Sequence, residues 1–277
     1  MTDRQNRQRR NRYGFRRIEA ATVCYVGQRP YQHITETVTD IHARVIERLA
    51  PQLGIRWLDL ACGTGAVAEL AARAGASVTG VDLAPALIET ARQRAQEQKF
   101  EIDYRVGDCE RLDLDDASYD RLSSTCGIMF APDHAATAHE LARVVVPGGR
   151  IALANWTPDG GLGQMFKMMR PFMPTPPPSA GDPFAWGREE VVRELLGDAF
   201  ELDIEECVST LNIPTGEEYW QLFSSSYGPT KTAAEALDED RRNEFHQTWV
   251  DFFDTHYRSD GGVSHSRQYL LVVGVRR

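Results

Sequence analysis

The chain has 277 residues, 42% of them hydrophobic, and a formal net charge of −9 at pH 7. That length holds one large domain or one domain with a cap. No apolar run is long enough to span a bilayer and the first residues lack the apolar core of a secretory signal, so the expectation is a cytoplasmic protein with no membrane segment. The cysteines number five, an odd count with no C-x-x-C pair, which gives neither a disulfide framework nor a zinc site, and no metal is expected. Seven arginines against one aspartate fall within residues 1–17, so the remainder is more acidic than the net charge suggests. An acidic body argues against general affinity for nucleic acid.

In chain order, residues 1–12 read as a disordered basic arm. A helix is predicted over 16–26, with Ile18, Ala21 and Tyr25 on one face. A second, over 34–49, places Val38, Ile41, Val45, Ile46 and Leu49 together; Thr35 or Thr37 is its candidate cap and Pro51 its stop. Residues 13–54 thus form a helical segment ahead of the first strand. The stretch Trp57-Leu58-Asp59-Leu60-Ala61-Cys62-Gly63-Thr64-Gly65 is a short buried strand ending in glycines. An alanine-rich helical run follows, and then Ser77-Val78-Thr79-Gly80-Val81-Asp82, a second strand ending on a carboxylate. Strand, glycine turn, helix, strand and acid make a βαβ unit with a ligand site at the strand ends. The glycines let the backbone approach a ligand, the helix offers it free amides, and Asp82 can accept both hydroxyls of a ribose. Gly63-Thr64-Gly65-Ala66-Val67-Ala68 fits a dinucleotide fingerprint with alanine at the third glycine. Asp59, however, suits a cation better than a pyrophosphate, and no lysine follows to make a P-loop. An acid at the turn and an acid at the ribose favour a ligand with an ammonium and a ribose; S-adenosylmethionine has both.

Beyond the second strand, a helix is predicted over 85–98, strands over 102–109 and 119–126, a helix over 134–146 and a fifth strand over 149–157. His134 opens its helix after Pro132-Asp133, either as a general base or as an ordinary first-turn residue. Residues 158–185 interrupt the alternation with Met165, Met168, Met169, Met173, Phe166 and Phe172 and a proline run. They form a wall for an acceptor, a core-filling cap, or both. A helix over 186–196 and a strand over 200–213 follow. Tyr219, Phe223 and Tyr227 then share one helix face. A charged helix pair spans 233–257, and a last strand spans 268–275.

Four motifs resemble those of class I S-adenosylmethionine-dependent methyltransferases: Asp59-Leu60-Ala61-Cys62-Gly63-Thr64-Gly65, Val81-Asp82-Leu83, Val106-Gly107-Asp108-Cys109, and Glu140 through Arg150. They stand in order and cover roughly residues 55–157. Gly127 to His134 and Ala154-Asn155-Trp156-Thr157-Pro158 resemble a bacterial small-molecule subgroup related to the ubiquinone/menaquinone C-methyltransferases. The resemblance implies an α/β fold: a Rossmann-like, seven-stranded, doubly wound sheet with its last strand antiparallel, plus a helical cap. It implies that the helical segment over 13–54 is a lid and that 55–157 form a cofactor-binding core, with 158–277 supplying the substrate cap and the remaining helices and strands. It also implies cofactor contacts from Asp59, Ala61, Gly63, Thr64, Gly65, Asp82, Leu83, Asp108 (at the adenine), Cys109 and Thr125. Tyr25 is the candidate tyrosine near the sulfonium, with Tyr31 second.

The function expected is methyl transfer from S-adenosylmethionine, leaving S-adenosylhomocysteine, to a small apolar or aromatic metabolite of secondary metabolism, at carbon, nitrogen or oxygen. Candidate catalytic residues are Tyr25 and His134, with His256 also in view. Candidate acceptor contacts are Tyr31, Met129, Trp156, Met165, Met169, Tyr219, Phe223 and Tyr227. Two alternatives stay open: an RNA methyltransferase using the arginine arm, and a non-catalytic cofactor-binding protein. The sequence leaves monomer and homodimer open.

Overall fold

The computed structural model describes residues 30–175 and 181–277. Two helices, α1 (Pro30–Glu36) and α2 (Thr39–Leu49), precede the sheet. Next come β1 (Arg56–Leu60), α3 (Ala66–Arg73), β2 (Ser77–Asp82), α4 (Pro85–Gln98), β3 (Ile102–Val106), β4 (Tyr119–Thr125), α5 (His134–Val144) and β5 (Val145–Trp156). The second half holds α6 (Gly161–Met169), α7 (Glu189–Leu196), β6 (Phe200–Ile213), α8 (Gly216–Ser226), α9 (Gly228–Ala236), α10 (Glu239–His256), β7 (Arg258–Ser259) and β8 (Gly262–Arg276).

The sheet runs β3-β2-β1-β4-β5-β8-β6. Its first five strands are parallel, and β8 inserts antiparallel between β5 and β6. The expected sheet is therefore present, with the two-residue β7 beside β8 as an addition. β1 pairs with β2 on one side and β4 on the other, so the order reverses at β1. In an open α/β sheet that reversal opens a crevice beyond the strand carboxyl ends, and ligands bind there.

Local chemistry explains the parts that frame this crevice. Trp57, Leu58 and Leu60 are wholly buried, and the small residues Ala68 and Ala71 let α3 lie close on the strands. Gly65 sits at φ +86°, and a Cβ there would come within 2.0 Å of the Tyr104 hydroxyl oxygen. Only glycine meets both conditions. Glu69 of α3 accepts two bonds from Arg94 and one from Gln98, each 2.9 Å, which ties α3 to α4. Arg143 of α5 holds the loop before β4 through the Leu112 and Leu114 carbonyls and Asp116.

Some predicted bounds differ. The helix predicted over 34–49 is two helices, broken at Thr37-Val38. There the buried Arg267 guanidinium takes the Thr37 carbonyl and, at 3.2 Å, the Thr37 hydroxyl. Neither predicted threonine caps α2; Val38 stands at its start without a side-chain bond. The helix predicted over 186–196 is a 3-10 turn, Pro183–Gly187, followed by α7, because Gly187 lies against the Trp156 carbonyl. The strand predicted over 268–275 extends to fifteen residues, since β6 pairs with it along its whole length. The helix predicted over 16–26 and the prolines at 176–178 lie outside the described residues.

Candidate functional site

The crevice is built where β1, β2 and β4 end. Asp82, the last residue of β2, is 9% exposed. Its Oδ2 accepts the Gly63 amide at 2.8 Å and its Oδ1 accepts the Ala84 amide at 2.9 Å. One carboxylate thus fixes both the glycine turn and the entry to α4, and each of its oxygens keeps a lone pair for a further donor. Burial pushes its pKa up, while the two amides pull it down.

Asp59 lies deeper, at 2% exposure. Ser123 of β4 donates to its Oδ1 at 2.6 Å, and the Trp57 indole Nε1 donates to that same serine hydroxyl at 2.9 Å. Burial pushes the Asp59 carboxyl up to about 7; the Ser123 bond and one from the Ala68 amide oppose that, and the nearby Asp82 adds to it. Among the described residues, the groups acting on these two carboxylates include no cation. The Thr64 and Thr125 hydroxyls are buried without a partner among the described residues. Ala61 and Cys126, at the ends of β1 and β4, both adopt left-handed backbone, at φ +51° and +55°. Gly127 lets these ends meet, because a Cβ there would lie 2.3 Å from the Ala61 Cβ. Past β3, Asp108 accepts the Glu110 amide at 3.0 Å, and Cys109 is half-buried with its thiol pushed up to about 12 by burial. Leu83 is half-buried beside Asp82.

These residues make a fit test for the ligand inferred above. Two buried acids, a glycine turn, a helix start and two orphaned hydroxyls meet at one edge. That donor set suits a small molecule with a cationic end and a ribose: the acids offer acceptors to an ammonium and to hydroxyls, and the threonines supply unspent hydroxyls. S-adenosylmethionine fits these residues.

The acceptor candidates separate. Met129, Trp156, Met165 and Met169 are buried. Trp156 meets Tyr269 edge-on at 6.1 Å and lies under the Arg267 guanidinium at 5.4 Å. Tyr219 and Phe223 turn into an aromatic core between α8 and α10, Tyr219 lying 4.2 Å from Phe253 between ring centroids and Phe223 5.6 Å from Trp249. The Tyr219 hydroxyl pairs with His265 Nδ1 at 2.6 Å. Tyr227, 4.9 Å from Phe223 at the rim of that core, also joins Phe166 and Phe184 in a half-buried trio, the Phe166–Phe184 pair at 5.1 Å and Phe166–Tyr227 at 6.3 Å. Phe130, 44% exposed, follows β4 at the same edge of the sheet.

His134 opens α5 beside Asp133, which caps the helix by accepting the Ala136 amide at 2.9 Å. Its Nε2 is buried without a partner among the described residues, its ring meets Trp186 edge-on at 6.0 Å, and burial holds its pKa below the usual value. His256 is exposed and its Nδ1 lies 2.9 Å from the Phe252 carbonyl. Tyr25 and the Tyr31 side chain lie outside the described residues. Sequence reasoning missed Ser123, Phe184 and Arg267. Nothing marks Ser123 among the serines and threonine of its strand, Phe184 follows the proline run without periodicity, and Arg267 reads as one more charge before the last strand.

A family model described as "Methyltransferase domain" matches residues 58–153. An uncharacterized protein of Mycobacterium tuberculosis (strain ATCC 25618 / H37Rv) is 34% identical over 233 residues, 81% of this chain and 82% of the relative. Among solved structures, the YcgJ protein from Bacillus subtilis aligns with TM-score 0.60 at 19% identity, covering 86% of this chain and 99% of that one. A geranyl diphosphate C-methyltransferase from Streptomyces coelicolor A3(2), solved with Mg2+, geranyl-S-thiolodiphosphate and S-adenosyl-L-homocysteine, aligns with TM-score 0.54 at 16% identity, covering 86% of this chain and 76% of that one.

Proposed function

Because the chain belongs to the class I S-adenosylmethionine-dependent methyltransferases, we propose that it methylates a small, apolar or aromatic metabolite of secondary metabolism held at the carboxyl edge of β4 and β5. The observation that carries this reading is the half-buried trio Phe166, Phe184 and Tyr227, drawn from three separate segments beyond β5 and left partly open, with the segment that holds Phe184 packed on β5 and on the Ile128–Phe130 turn after β4. A closed core would have buried those rings as it does Tyr219 and Phe223; a partly open apolar wall suits a ligand with an apolar face.

The bound cofactor supplies an electrophilic methyl group on a sulfonium. In this reading Asp82 accepts the ribose hydroxyls, the Gly63–Gly65 turn lets the backbone close on the ligand, and Asp108 and Cys109 edge the adenine. Ala61, Thr64, Leu83 and Thr125 complete the lining, and Asp59 faces the ammonium. The acceptor needs alignment and exclusion of water more than activation. Residues 13–54 act as the lid over the site, and 158–277 as cap and outer strands. Where the acceptor carries a hydroxyl or acidic carbon, His134 is the described candidate base: its lowered pKa keeps it neutral at pH 7, and its Nε2 has a free lone pair or proton. Tyr25 is the second candidate. Met129 and Trp156 belong to the floor, Met165 and Met169 to the wall behind the trio, and Tyr31 to the lid. The proposal places the enzyme in the cytosol; its four described cysteines are free thiols.

The test is methyl transfer from isotope-labelled S-adenosylmethionine to a panel of small aromatic and apolar compounds, read by mass spectrometry. On whichever compound is labelled, Phe184→Ala is expected to raise KM about tenfold with unchanged cofactor affinity. No labelled product across the panel, or Phe184→Ala acting on cofactor affinity instead, contradicts the proposal.

A further inference from the structure

Asp59 is buried, and two groups from different elements favour its ionised form: Ser123 on β4, which donates to it at 2.6 Å, and the Ala68 amide at the start of α3. Ser123 is itself wholly buried and receives the Trp57 indole N–H. With that donor on one lone pair of the serine oxygen, the single hydroxyl proton is left to aim at Asp59, and the indole polarises it. The titratable groups facing Asp59 are Asp82 from β2, Cys62 from the glycine turn and Tyr104 from β3. None is a cation, so in the free protein the carboxylate has hydrogen bonds but no counter-charge among these groups.

We infer that Ser123, held by Trp57, is a positioning residue that keeps the Asp59 carboxylate set to receive the ammonium of the cofactor, so that ligand binding expels a proton from Asp59 to solvent. This rests on the proposal that Asp59 faces that ammonium. The reason is charge balance: the free site tolerates a neutral acid, and an arriving ammonium favours the ionised one. The carboxyl that burial raises to about 7 is then partly protonated before binding and ionised after it. Below that pH the ligand must displace a proton, and its affinity falls about tenfold per pH unit. An α-amino group ordinarily titrates at about 7.7–8.0, so the ligand's ammonium is charged at pH 6 and 7, and the proton it takes up itself near pH 8 is measured with Asp59→Asn and subtracted.

The experiment is calorimetric titration of the full-length protein with S-adenosylhomocysteine at about pH 6, 7 and 8, in buffers of differing ionisation enthalpy. The expected result is release of about half a proton at pH 7, more at pH 6 and little at pH 8. Asp59→Asn is expected to bind more weakly and release none. Ser123→Ala is expected to move the bend in affinity against pH upward by about one unit, since it removes a bond that favours the ionised form. Ser123→Thr, which keeps the hydroxyl, restores it. Circular dichroism of each variant separates a lost fold from a moved bend. Should Ser123→Ala not fold, Trp57→Phe is expected to move the bend in the same direction by less. Binding with no buffer dependence in the wild type, an unchanged proton count in Asp59→Asn, or a bend unmoved in the serine and tryptophan variants overturns this inference and leaves the cofactor site standing. Absence of binding at every pH overturns both.

Discussion

Asp82 joins three things at once: the end of β2, the Gly63 amide and the Ala84 amide. Removing its charge but not its shape, Asp82→Asn, turns one of those acceptors into a donor facing an amide. The expected loss is about 2–3 kcal/mol in binding of S-adenosylhomocysteine, read by calorimetry. Asp59 makes a prediction of opposite sign for the free protein. Its folded carboxyl lies near 7, above the ordinary 3.8, so the fold holds this proton more tightly than the unfolded chain does. Stability from this group is fully present at low pH and is lost as pH rises from about 4 through 7. Asp59→Asn is therefore expected to stabilise the ligand-free protein at pH 8, on the order of 2 kcal/mol, with the gain vanishing near pH 4. Urea denaturation at the two pH values measures it; equal effects at both would contradict the burial argument. At this scale the acids were legible because each stands in a short strand just ahead of the glycine turn or at the end of the strand beside it. Ser123 was not, since a serine in a strand carries no sign of which carboxylate it will reach across the sheet.

At the scale of elements, the ends of β1 and β4 press together through Gly127, with Ala61 and Cys126 both in left-handed backbone. Gly127→Ala places a methyl 2.3 Å from the Ala61 Cβ, so one strand end must move. The expected cost is about 2–3 kcal/mol in stability together with weaker cofactor binding. A melting temperature and a titration on the same variant check both, and stability lost with affinity intact would separate the two ends from the site. Helices and strands whose faces are strongly patterned were legible: α4 and β6 lie at the predicted bounds. The break in the 34–49 helix was not, because its cause is remote. Arg267 on β8 reaches back to Thr37, a contact 230 residues away in sequence. Arg267→Met is expected to destabilise by about 3 kcal/mol, since the Thr37 carbonyl and the Ser209 hydroxyl lose their donor; chemical denaturation reads it. The turn Pro183–Gly187 was hidden for a like reason: Gly187 docks on the Trp156 carbonyl, a tertiary contact in a stretch where propensity alone continues the helix.

At the scale of the molecule, the parallel strands place the acids and the glycine turn, and the second half of the chain adds an aromatic core and a partly open aromatic wall. Methionine and aromatic content pointed to an apolar wall, yet composition does not say which rings face inward. Tyr219 and Phe223 share a helix face with Tyr227, but the neighbouring α10 buries the first two and leaves the third at the edge. The arginine-rich arm makes a prediction at this scale. Deleting residues 1–12 is expected to leave cofactor affinity and small-molecule turnover within about twofold, as the acidic body and not the arm holds the site; loss of RNA binding with loss of turnover would favour the RNA reading.

The central claim, that Asp82 and the glycine turn hold S-adenosylmethionine, is tested most directly by calorimetric titration of wild type and Asp82→Ala with S-adenosylhomocysteine, with NAD as the control ligand. Binding to the wild type in about the micromolar range, loss of that binding in the variant whose fold is retained by circular dichroism, and no heat with NAD are the expected results. Equal affinity in the two proteins, or binding of NAD in place of S-adenosylhomocysteine, would contradict it.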